Sequence, residues 1–158
     1  MRHTISVRVR NEFGVLSRVA GMFSGRGYNI DSLNVAPTLD PKISQMTIVT
    51  HGDDETIEQI TKQLHKLIDV ITVKDHTDGA WAGRELAMIK VAPEPDQRAE
   101  VLRIVEIFRG KIVDVGPKSF IIEVTGGQDK IDAMTRLLET LGLKHLVRTG
   151  PLAIARGI

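Results

Sequence analysis

NEFGVLSRVAGMFSGRGYNIDSLNVAPT, residues 11 to 38, reads as the end of a strand, a tight turn through Gly14, a short helix and a second strand starting at Tyr28. Gly14 has no Cβ, so another group can approach the backbone closely at that turn. The first helical amides, near Gly14, Val15 and Leu16, have no partner inside the helix and carry its positive dipole end. A small carboxylate suits that spot. An ordinary strand-to-helix turn that binds nothing suits the same residues.

Outward from this stretch, a pattern emerges. His3 to Val9 alternates, with Ile5, Val7 and Val9 on one face and Thr4, Ser6 and Arg8 on the other, which is a half-buried strand. Leu16, Val19, Ala20 and Phe23 fall on one helical stripe, and Gly25 and Gly27 close that helix. Tyr28–Ala36 and Ile43–Thr50 read as strands. Asp53 or Asp54 caps a second helix whose Ile57, Ile60, Leu64 and Leu67 or Ile68 share a face, and Val70–Lys74 reads as a fourth strand. This order is βαββαβ.

Turn residues without a sustained period, Asp75 to Gly83, place a linker there. The order then recurs. Glu85–Val91 is a strand, Asp96 caps a helix that Gly110 stops, and Lys111–Val115 with Ser119–Thr125 forms a hairpin. Gln128–Leu141 is a helix ended by Gly142, a strand runs from about Lys144 to Thr149, and Pro151–Ile158 is a tail. The fold class is α+β, with two ferredoxin-like units, residues 1–77 and 84–158. Each sheet has helices on one face. The other face and at least one edge are left open, which favours pairing of the first unit with a second copy; a polar face in water is the alternative.

Composition narrows the function. The 158 residues have a net charge of +1. Before residue 77 there are nine basic and nine acidic residues, and after it twelve and eleven, so neither half has the basic excess of a phosphate-backbone binder. With no cysteine, the chain has no disulfide framework, thiolate metal site or cysteine nucleophile. No apolar stretch approaches the ~18 residues of a membrane span, and MRHTIS is not a signal peptide. A soluble cytoplasmic protein is expected.

Other constellations read as structural. His3, His51, His65, His76 and His145 form no short metal-ligand spacing. TGGQDK, from Thr125, lacks the Walker pattern. Arg109 in FRG has no nucleophile or base beside it and reads as a helix-end residue. Asp53, Asp54, Glu55 and Glu58 start a helix, where capping and the dipole account for them. Trp81 reads equally as a partner anchor or as packing between domains.

The opening stretch, with SQMTIVT at Ser44–Thr50, KQLHKLIDVITV at Lys62–Val73 and EIFRGKIVDV at Glu106–Val115, resembles the small regulatory subunits of acetolactate synthase. These are ACT-domain proteins, and the resemblance covers nearly the whole chain. It implies an ACT domain in the first unit and a chain with no catalysis of its own. Such a chain binds the large catalytic subunit, raises its activity and carries feedback inhibition by valine, with leucine or isoleucine as other effectors. Thiamine diphosphate, Mg²⁺ and FAD would then belong to the partner, and a homodimer is expected. The resemblance places the effector against Asn11, Gly14, Val15 and Leu16 of one protomer, with Asn29 and Ile30 from the facing one and Val35 as apolar lining. An acylphosphatase-like enzyme would need a phosphate-cradling loop, and a nucleic-acid module would need aromatics on the central strands. Those strands show Ile, Val, Thr and Met.

Overall fold

Strict alternation in β1 (Arg2–Arg10) sets the architecture of the first unit. Ile5, Val7 and Val9 are buried on one face and meet Met46 and Ile48 of β3 (Ile43–His51) in register. Two helices cover this face. α1 (Val15–Gly25) contributes Val15, Val19 and Phe23, and α2 (Asp54–His65) contributes Ile57, Ile60 and Leu64. With β2 (Ser32–Pro37) and β4 (Val70–Asp75) the antiparallel strand order is β2-β3-β1-β4. This computed structural model describes residues 1–157.

The second unit repeats the plan. β5 (Trp81–Val91), β6 (Lys111–Val115), β7 (Phe120–Gly126) and β8 (Leu143–Arg148) form the order β6-β7-β5-β8. Ala87, Ile89 and Val91 of β5 pack with Val101, Ile104 and Val105 of α3 (Arg98–Ile107) and with Ile131, Met134 and Leu138 of α4 (Gln128–Glu139). α+β topology with two βαββαβ units is therefore what the chain forms.

Several local expectations need correction. β2 starts at Ser32, not Tyr28, because Tyr28 and Ile30 turn inward against the first core. Leu16 is 45% exposed and Val15 takes its place on the buried stripe. Ile68 points outward while Leu67 packs. Asp53 is the cap of α2; its side chain accepts from the Thr56 amide, and that hydrogen bond holds its pKa below the ordinary value. Ahead of α3 the cap is Glu94 rather than Asp96, reciprocally bonded with Gln97 across a short 3-10 turn. After α3 it is Arg109, at φ +56°, that takes the left-handed position; Gly110 instead leaves room for the Glu123 carbonyl, 3.2 Å from where a Cβ would stand.

The largest departure is the tail. Leu152–Ala155 is a strand, β9, and from Leu152 the chain groups with the first unit, which otherwise ends at Ala82. Arg156 donates to the carbonyls of Ala80 and Trp81, tying β9 to the start of β5. Trp81 is thus part of a strand, and its ring lies 5.8 Å from that of His76. The face of the first sheet opposite the helices is neither bare nor simply hydrated: Thr4, Ser6, Thr47 and Val49 are all buried there.

Candidate functional site

The N-terminus of α1 is built by three neighbouring choices. Gly14, the residue before the helix, sits at φ +83°, a conformation that L side chains rarely adopt. No side chain caps the helix and no acidic residue lies in its first turn. Val15 N–H donates weakly to Glu12 O at 3.4 Å and Arg18 N–H to Gly14 O at 3.0 Å. The amides of Leu16 and Ser17 lie between these and have no partner among the described residues. The Val15 amide is thus engaged, and the Ser17 amide joins that of Leu16 as an unpaired helical donor.

Asn11 closes the same loop from the end of β1. Its backbone amide donates to Lys42 O and its Nδ2 to Pro41 O, at 2.8 and 2.9 Å. The side-chain NH2 is thereby committed to the turn before β3, and Oδ1 is the atom left to accept. Arg18, one helical turn after Gly14, was not legible as a site residue. Its guanidinium donates from Nε and Nη2 to Asp69 Oδ2, at 2.9 and 2.6 Å, and Nη1 lies 3.0 Å from where a Gly14 Cβ would stand. The i, i+4 spacing from Gly14 was the available signal. Two free amides, a helix dipole and an arginine held by a buried aspartate create a positive corner suited to a carboxylate.

Asn29 and Ile30 lie elsewhere in the same copy. They follow the far end of α1, whose 11 residues span about 16 Å. Asn29 Nδ2 donates to Asp31 Oδ1, and its carbonyl accepts from Thr50 Oγ1. Asp31 also pairs with His51. Ile30 is half-buried against the first core. One chain thus does not bring Asn29 and Ile30 to Asn11, Gly14, Val15 and Leu16. Val35 lies on β2 and lines a cavity on the sheet face opposite the helices.

The histidines have structural surroundings. His3 Nδ1 shares a 2.7 Å bond with Thr77 Oγ1, and His76 Nε2 shares one of 2.7 Å with Ser6 Oγ. Burial lowers the His76 pKa, the neighbouring Lys74 charge adds to this, and Asp75 opposes it. Among the described residues, no group of three His, Asp or Glu is arranged to hold a metal. No helix there is long and apolar enough to cross a membrane.

Comparison with known proteins agrees with this architecture. Residues 5–72 match the profile of an AHAS small subunit-like ACT domain, and residues 84–157 that of the small subunit of acetolactate synthase. The acetolactate synthase small subunit of Aquifex aeolicus is 54% identical over 156 residues, covering 98% of this chain and 81% of that protein. The isozyme 3 small subunit of Escherichia coli is 46% identical over 158 residues, covering 99% and 97%. The crystal structure of the acetolactate synthase small subunit from Thermotoga maritima superposes with a TM-score of 0.90 at 40% identity, covering 100% of this chain and 99% of that one. With both halves matched and relatives this similar over at least four fifths of their length, the chain belongs to the family of acetolactate synthase small subunits.

Proposed function

We propose that this chain is the regulatory, non-catalytic subunit of a cytoplasmic acetolactate synthase. It binds the large catalytic subunit, raises its activity and lowers it again when valine is bound; leucine and isoleucine are weaker candidates. Thiamine diphosphate, Mg²⁺ and FAD belong to the catalytic chain. The observation that carries the effector reading is the positive corner at α1, where the Leu16 and Ser17 amides are unpaired and Arg18 stands beside Gly14. The valine carboxylate would sit on those amides, and the Asn11 Oδ1 would accept from its ammonium group. Charge-assisted bonds of ~1.5–3 kcal/mol each are enough for micromolar binding, about −8 kcal/mol.

Because the Asn29 end of α1 is about 16 Å from that corner, a pocket using both needs two protomers. The reading accordingly takes a homodimer joined through the first unit. Inhibition further requires that valine bind two states of the holoenzyme unequally.

Reconstitution tests the reading. The purified chain should turn over no pyruvate, should raise the activity of added large subunit, and should make that activity valine-sensitive. Asn29→Ala should raise the valine needed for half-inhibition while dimers persist. Pyruvate turnover by the chain alone, or a valine response changed less than about twofold by Asn29→Ala, well below the tenfold that ~1.4 kcal/mol represents, would count against it.

A further inference from the structure

The first unit contains a second concavity, on the sheet face away from its helices. Its volume is about 580 Å³, within the ordinary range for small-molecule sites. Register places Arg8 opposite Thr72 and Lys74 opposite Ser6, so the two cations are diagonal neighbours on β1 and β4. No Asp or Glu lines the cavity. Arg8 donates to Gln45 Oε1, and among the described residues neither cation has a carboxylate partner. The floor between them is polar and buried, with Ser6 bonded to His76 and Thr47 alongside.

The remaining wall has the opposite character. Ala36 and Pro37 on the edge strand β2, with Leu152 and Ile154 of β9, give it an apolar lining, and Leu152 and Ile154 remain 59% and 72% exposed. In the order β2-β3-β1-β4, Ala36 and Pro37 lie about 10 Å from the strand of Arg8 and about 14 Å from that of Lys74, and β9 reaches over to contact β1. A charged end and an apolar end at that spacing define an amphipathic anion. A free inorganic anion would leave the apolar wall unused, and a neutral lipid would leave two cations facing it unpaired.

We propose that this cavity binds a carboxylate with a medium-length aliphatic body, its head on Arg8 and Lys74 and its chain running beneath β9 toward β2. The site is separate from the α1 corner and does not depend on the valine reading. The probes are octanoate, octanamide and inorganic phosphate, titrated calorimetrically into the full-length chain. Octanoate should bind saturably, one per chain, and at least tenfold more tightly than octanamide or phosphate. Arg8→Gln combined with Lys74→Gln changes two exposed strand residues and should weaken octanoate at least tenfold with an unchanged circular dichroism spectrum. Amide resonances of Thr47 and Ile154 should shift on titration, also in the presence of excess valine. Equal binding of octanamide would reduce the site to an apolar groove, and equal binding of phosphate to a cation pair; either overturns the proposal. So does octanoate binding that survives the double substitution, or the absence of saturable binding because a second copy of the chain covers β9, seen as dimers that Ile154→Asp dissociates.

Discussion

Gly14 and Gly142 show how a single residue's backbone decides what can be tested. Gly14→Asp looks like a direct way to block the effector corner, yet φ +83° and the nearby Arg18 Nη1 make any side chain there strained. Arg18 is the better probe. Arg18→Gln removes the charge beside the free amides, and the expected outcome is a tenfold rise in the valine needed for half-inhibition, equivalent to ~1.4 kcal/mol. Asp69→Asn breaks the same ion pair but keeps the guanidinium, and should leave the valine response within about threefold. Inhibition assays on reconstituted enzyme separate the two. At Gly142 the conflict is purely structural: φ is +87°, and a Cβ would stand 2.4 Å from the Ala92 carbonyl oxygen. Gly142→Ala should cost at least the ~1–2 kcal/mol of a left-handed L residue, whereas Gly127→Ala, with open space around it, should cost little. Denaturant unfolding of both variants checks this.

Among the elements, β5 and β8 share a feature that hydrophobic periodicity could not reveal. Glu85 within β5 is buried, and Arg148 at the end of β8 bonds it while also donating to Asp132 of α4 at 2.6 Å. Burial works against the Arg148 charge, but the bonds to Asp132 and Glu85 outweigh it and raise its pKa. Arg148→Met leaves a buried carboxylate unpaired and should destabilise the second unit by about 3 kcal/mol; a thermal shift measures it. The end of β4 carries the opposite case. His76 has a folded pKa below its ordinary 6.5, so the unfolded state takes up the proton first as pH falls. Its contribution to stability is therefore complete above about pH 6.5 and is lost as pH drops from there through the folded value. His76→Gln should flatten that part of the profile, seen as a smaller drop in denaturant midpoint between about pH 7.5 and pH 5.

At the scale of the molecule, the decisive segment is the last one described. β9 returns to the first unit, and on the sheet face away from the helices the polar residues Thr4, Ser6 and Thr47 are buried, Ser6 against His76. A fragment ending near Asp78 would lack both β9 and Trp81, so it is a poor stand-in for the effector domain. Ending the chain at Pro151 is a cleaner experiment. Amide exchange in β1 and β3 should quicken, while protection of β7 in the second unit should stay within about threefold, under ~1 kcal/mol. Loss of protection throughout would contradict the division into two units.

Periodicity alone determined two βαββαβ units, because one-sided burial writes itself into sequence with period 2 in strands and 3.6 in helices. Ile5, Val7 and Val9, then Ile57, Ile60 and Leu64, were legible for that reason. Gly14 was legible as a turn, and the resemblance of its surroundings to a family supplied a use for it. Arg18 was not, since a half-exposed arginine in a helix is ordinary until Asp69, 51 residues later, holds it beside Gly14. Nor was β9: LAIA after a proline is too short to show a period, and its role depends on a face assembled from strands far away in sequence. Local patterns fix which face of each element is buried against its own helices. What lies over the opposite face is a contact between distant segments, and only the tertiary structure decides it.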